Sequence, residues 1–166
     1  MSVVDKLKSA VMGSQPPGKI HVVDPSPINW LYITYNTVEE LVRMDHNGVS
    51  EPAAMSTYRW VDDLTLEVKV REGENFPDGE PLTAATVKRS FEEQMQWKAP
   101  HPPGTHFNPP SGTKCQVVDD YTVLFHLSEP DGLMLGKLRA THIMSTRFWN
   151  EIGFGYKRNK TGEGHW

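Results

Sequence analysis

The chain has a single cysteine, Cys115, in 166 residues. One thiol closes no intrachain disulfide, builds no cysteine-based metal site and carries no information about an oxidising compartment. It reads as a small strand residue rather than a nucleophile. Long apolar runs are missing too, since no stretch approaches the ~20 residues that span a bilayer, so membrane insertion is not expected. Basic excess is missing: 17 Lys and Arg stand against 21 Asp and Glu, for a net charge of −4. That balance disfavours nucleic acid or an anionic membrane as the main partner. Phosphate-cradling glycine loops, a nucleophile elbow and ligand-spaced cysteines are all lacking, and the 7 histidines are scattered. The chain therefore does not read as an enzyme, and no catalytic residue, metal or cofactor is expected. A secretory signal is lacking as well: Asp5, Lys6 and Lys8 interrupt the opening MSVVDKLKSAVM, where Val4, Leu7 and Val11 fit one side of a short helix.

What is present is ordinary globular material, 37 % hydrophobic and 23 % charged, of a length suited to one compact domain. Its best-specified stretch is FPDGEPLTAATVKRSF, from Phe76 to Phe91. Asp78-Gly79 is a tight-turn dipeptide. Pro81 keeps Glu80 extended, and Thr83 is placed to cap a helix. Val87, Phe91 and Met95 recur every fourth residue as one apolar stripe. The helix is expected over Thr83–Met95.

Taken in order, residues 1–18 read as a flexible leader ending in GSQPPG. Lys19–Val23 is a short strand candidate, followed by DPSPINW. Tyr35, Val38, Leu41 and Val42 predict a helix over 31–44, closed by the Asn47-Gly48 turn. Two hairpins then echo each other. Leu64, Leu66, Val68 and Val70 alternate with polar residues after Asp62-Asp63. Tyr121, Val123, Phe125 and Leu127 do the same after Asp119-Asp120. Adjacent aspartates on an extended chain point to opposite sides, so turn chemistry explains each pair better than a shared proton or a Ca²⁺ ion. Between the hairpins, KAPHPPGTHFNPPSGTK forms an irregular loop carrying His101, His106 and Phe107. Two histidines five apart favour a solvated loop over a metal site. Beyond Asp131, Gly132 and Gly136 split the apolar pattern into two short helices. The expected fold is α+β, a small antiparallel sheet from two hairpins with helices packed on one face.

The stretch Phe-x-Asp-Gly-x-Pro-Leu-Thr-Ala-x-x-Val resembles the signature of the family 5 extracellular solute-binding proteins, the oligopeptide, dipeptide and nickel receptors of ABC importers. Thr86 stands where that family usually has an acidic residue. Residues 39–45 resemble its "EgLvr-x-D". Trp60, Asp63, Thr65 and Arg71 fall on its "W-x-x-x-D-x-x-T-y-x-f-x-L-R", and Asp119–Val123 on its "v-D-D-y-T-V". The resemblance implies the N-terminal subdomain of a type II, periplasmic-binding-protein-like fold, with residues 19–166 covering one part of a two-lobed receptor and the second lobe absent. It implies recognition of an oligopeptide or other small solute, with an ABC permease or the second lobe as partner, in an extracytoplasmic location; a chain complete as translated would instead be cytoplasmic. The ligand-binding residues so implied are Asp24, Ser26, Asn29 and Trp30, with His106 and Phe107 from the loop. The alternative is a stand-alone module that binds a protein partner and has no role in transport.

Overall fold

The computed structural model describes residues 38–96 and 108–152. Within them the two expected hairpins merge into one antiparallel sheet. Strand β4 (Met55–Asp62) pairs with β5 (Thr65–Val70), and β6 (Lys114–Asp119) pairs with β7 (Thr122–His126). The hairpins join through β5 and β7, giving the order β4-β5-β7-β6. Period-two alternation sends Leu66, Val68 and Val70 of β5, and Val123 and Phe125 of β7, into one core, with Leu127 beyond the strand end. Leu64 lies in the turn and is 40 % exposed, so the buried run begins at Leu66.

Both aspartate pairs are turn-formers. Asp62 Oδ1 accepts from the Leu64 amide at 2.8 Å, and Asp119 Oδ1 accepts from Tyr121 at 2.9 Å. The Thr122 hydroxyl donates to Asp119 Oδ2. Each carboxyl is held below the usual aspartate range, Asp62 chiefly by the Leu64 N–H and Asp119 chiefly by the Thr122 hydroxyl. Cys115 is a buried strand residue of β6, as expected.

Helix α1 (Ala84–Gln94) lies over the β6–β7 side of the sheet. Thr83 is its N-cap: its hydroxyl accepts from the Thr86 amide, while the Thr86 hydroxyl accepts from the Thr83 amide. This reciprocal pair is a capping box with threonine in the place usually filled by an acid. The first helical amide, Ala84, is met by the backbone oxygen of Asp120 at 2.8 Å, which ties the helix start to the second turn. Val87 and Phe91 are buried, and Phe91 meets Phe125 with ring centroids 5.2 Å apart.

The helix expected over 31–44 does not form in its described part. Residues 38–44 instead hold two short strands, β1 (Glu39–Glu40) and β2 (Val42–Met44). β2 pairs with β3 (Ser50–Pro52) across a turn in which Gly48 takes a φ of 78°. β1 pairs with β8 (His142–Ile143), far along the chain. Leu41 and Val42 are adjacent yet both fully buried, because the chain bends between two different strand pairings. The long-range β1–β8 pairing and the β2–β3 hairpin override the helical spacing.

The C-terminal segment holds two short helices as expected, α2 (Met134–Lys137) and α3 (Thr146–Ile152), but Gly136 lies inside α2 and the break is made by a 3-10 turn (Leu138–Ala140) and β8. Met134 and Leu138 join the core. α3 packs on α1 rather than on the sheet, through Trp149, whose indole N–H donates to Ser90 Oγ at 2.9 Å.

Candidate functional site

The signature turn is built as the sequence indicates. Phe76 N–H donates to Glu80 O and Gly79 N–H to Phe76 O, while Asn75 bridges to Pro81. Gly79 takes a φ of 88°, which a side chain would resist. Asp78 Oδ1 accepts from the Glu80 amide at 3.1 Å. The Asp78 carboxyl is held below its usual range by the Ser145 hydroxyl first, then by that amide. Glu80 Oε2 in turn accepts from the Arg147 amide. Ser145 and Arg147 lie at the start of α3, so the turn and α3 hold each other in place.

Beside this turn runs a groove. One part, of about 430 Å³, lies between β1, β8 and the turn, with Phe76, Pro77, Ile143 and Met144 as apolar lining. A second part, of about 310 Å³, shares Phe76, Pro77 and Met144 and continues to Phe148 and Glu151. Charge sits at the rim. Arg43 Nη2 meets Glu39 Oε1 at 2.8 Å, Arg71 Nη2 donates to Pro52 O at 3.3 Å, and Glu74 also lines the groove. An apolar floor with guanidinium and carboxylate groups at its edge suits a dipolar or peptide-like solute. Among the described residues no three His, Cys, Asp or Glu side chains gather to hold a metal.

Another hollow, about 800 Å³, lies at the second hairpin's turn end. Three of its polar groups already engage one another: Lys69 Nζ donates to Thr122 Oγ1 at 2.6 Å, and Thr122 to Asp119. The groove by the signature turn is the better candidate, because it joins elements from four parts of the chain.

Asp24, Ser26, Asn29, Trp30, His106 and Phe107 all lie outside the described residues. The groove brings forward residues that the sequence did not nominate: Glu39, Arg43, Glu74, Ile143 and Met144. Glu39, Arg43, Arg71 and Phe76 did carry a signal, since they fall on the family motifs, but the motifs did not mark them as solute contacts. Ile143 and Met144 carried none, because their position depends on β8.

The second strand edge of β8 is finished by side chains of α1. Gln94 Nε2 donates to His142 O at 2.9 Å, and Gln94 Oε1 accepts from His142 N at 3.0 Å. Ser90 Oγ both accepts from Met144 N and donates to Met144 O. The groove wall is thus clamped from β1 on one side and α1 on the other.

Residues 50–165 match the family described as bacterial extracellular solute-binding proteins, family 5 Middle. A stretch of 64 residues is 30 % identical to the nickel-binding protein NikA of Staphylococcus aureus (strain NCTC 8325 / PS 47), covering 39 % of this chain and 13 % of that protein. The structure of the oligopeptide-binding protein AppA from Bacillus subtilis, in complex with a nonapeptide, superposes with a TM-score of 0.64 at 20 % identity, over 84 % of this chain and 27 % of that one. The crystal structure of Staphylococcus aureus NikA in complex with Ni(L-His)2 superposes with a TM-score of 0.56 at 22 % identity, over 66 % and 23 %. These likenesses place the fold among type II solute-binding proteins. The chain spans about a quarter of the length of the solved structures it resembles.

Proposed function

The chain belongs to the family 5 bacterial extracellular solute-binding proteins, and on that premise we propose that it serves as part of the solute-recognition component of an ABC uptake system for peptide-type solutes. The family's members bind substrates for ABC import and are not enzymes. The observation that carries the reading is that the matched stretch, residues 50–165, contains both hairpins, the signature turn and β8. The groove supplies one wall of a binding site. The residues expected to reach the solute, Asp24, Ser26, Asn29, Trp30, His106 and Phe107, lie outside the described residues, and we propose them as additional solute contacts.

A solute held on one wall keeps much of its water, and affinity for small solutes comes from enclosure. The groove alone therefore binds a nonapeptide weakly, with a Kd above roughly 1 mM. The expected site is extracytoplasmic, as in the family, with an ABC permease and a second lobe as partners. Among the described residues no helix is long and apolar enough to cross a membrane. Comparing uptake of a labelled oligopeptide by cells with and without this gene tests the assignment. Loss of uptake is expected; unchanged uptake of both oligopeptide and Ni(L-His)2 overturns it.

A second reading, a protein-interaction module without a transport role, draws on the edge strand β4, where Tyr58 is 44 % and Trp60 40 % exposed. Native mass spectrometry returning only free monomer from a cell extract counts against it.

A further inference from the structure

The β1–β8 pair has two sides. Glu39 and Ile143 stand opposite each other and line the groove. Strand alternation sends the next opposed pair, Glu40 and His142, to the other side. There Glu40 is 2 % and His142 0 % exposed. Glu40 Oε2 accepts no hydrogen bond, and Thr141 Oγ1, one residue before His142, makes none. The charged groups facing Glu40 among the described residues are Glu39 on its own strand, Arg43 on β2 and Arg139 on the 3-10 turn. Arg43 is already engaged by Glu39 at 2.8 Å. From α1, the group that meets β8 here is the neutral amide of Gln94.

A buried carboxylate and a buried imidazolium are each penalised by loss of water. Burial pushes Glu40 up to about 7, against the pull of Arg43 and Arg139. It pushes His142 down to about 4. Both groups are therefore neutral in the closed pair over the mildly acid range.

We propose that Glu40 and His142 form a proton-compensated catch on the β1–β8 pair. In the open pair, in water, they stand as carboxylate and imidazolium. On closure a proton leaves the imidazolium nitrogen and a carboxylate oxygen takes one up, with solvent as the carrier, so two neutral groups are buried. Closure releases one proton and binds one. The groove wall is then insensitive to pH in a range where either group alone would act as a switch.

The two contributions have opposite signs. Glu40 favours closure fully below its ordinary 4.5 and loses that contribution as pH rises to about 7. His142 favours closure fully above its ordinary 6.5 and loses it as pH falls to about 4. This device does not depend on which solute the protein takes.

Hydrogen exchange in the full chain tests it. The reporters are the amide of Ala54, which donates to Glu40 O at 2.7 Å, and the amide of His142, each divided by the sheet amide of Val68. Between about pH 5.5 and about pH 7.5 the relative opening of the native pair changes by no more than about threefold. Glu40→Gln leaves His142 uncompensated, and opening rises about tenfold at the lower pH. His142→Gln leaves Glu40 uncompensated, and opening rises about twentyfold at the higher pH. A native change beyond about tenfold, or a folded variant with no pH dependence, overturns the proposal. Should His142→Gln fail to fold, carbon-13 titration of the unmodified protein decides: midpoints at about 7 for Glu40 and about 4 for His142 support the catch, and midpoints at the ordinary 4.5 and 6.5 overturn it.

Discussion

Thr86 shows how a single residue can depart from a pattern and keep its purpose. An acid at that position would complement the helix N-terminus by charge. Threonine does so by reciprocal hydrogen bonding with Thr83, at 3.0 and 3.4 Å. Thr83→Ala removes the cap and lowers stability by about 1 kcal/mol, read as a shift in the urea midpoint. Cys115 is a second case. Burial pushes its thiol up to about 12, and nucleophilicity resides in the thiolate. The native protein is therefore inert to an alkylating reagent at neutral pH and reacts once denatured, as mass spectrometry would record; labelling of the folded protein on the same timescale would contradict this. The Thr83 cap was legible from its position before an apolar stripe and the role of Cys115 from its place in a strand, whereas the reciprocal bond from Thr86 was not.

At the scale of elements, legibility followed the range of the contacts. The hairpins and α1 are written locally, in two-residue alternation, aspartate turns and a capped stripe, and each formed where expected. Residues 38–44 were read as helix and form β1 and β2, because their partners lie elsewhere. Ser50–Pro52 carries no strand pattern, and His142–Ile143 is too short to show one. β8 exists because Gln94 and Ser90 supply the hydrogen bonds of a missing neighbour. Replacing Gln94 with Leu strands a buried N–H and C=O of His142 and costs about 2–4 kcal/mol. Exchange of the Met144 and His142 amides rises before that of the sheet. Equal protection of both regions in the variant would show that β8 stands without the clamp.

For the molecule as a whole, Phe91 is the point where helix and sheet meet, at 1 % exposure against the ring of Phe125. Phe91→Ala costs about 3–5 kcal/mol, a large share of the stability of a domain this size. Thermal unfolding followed by circular dichroism would show a marked fall in midpoint with the transition still single; loss of α1 alone, with the sheet intact, would mean that the two do not fold as one unit. The groove was not legible in this way, since its lining converges from β1, β2, Ala53-Ala54 before β4, the signature turn and β8, and the residues nominated from the sequence lie outside the described part.

The pairing of Glu39 with Ile143 joins positions about a hundred residues apart. On the ribosome, at roughly 5–20 residues per second, β1 emerges several seconds before its partner is made. Both hairpins can zip within that interval, on a timescale of microseconds each. Leu41 and Val42 leave the tunnel early and stay uncovered until the 3-10 turn and β8 arrive. The nascent chain thus carries a greasy, half-finished edge for much of its synthesis, and that edge is where a chaperone would find its first hold.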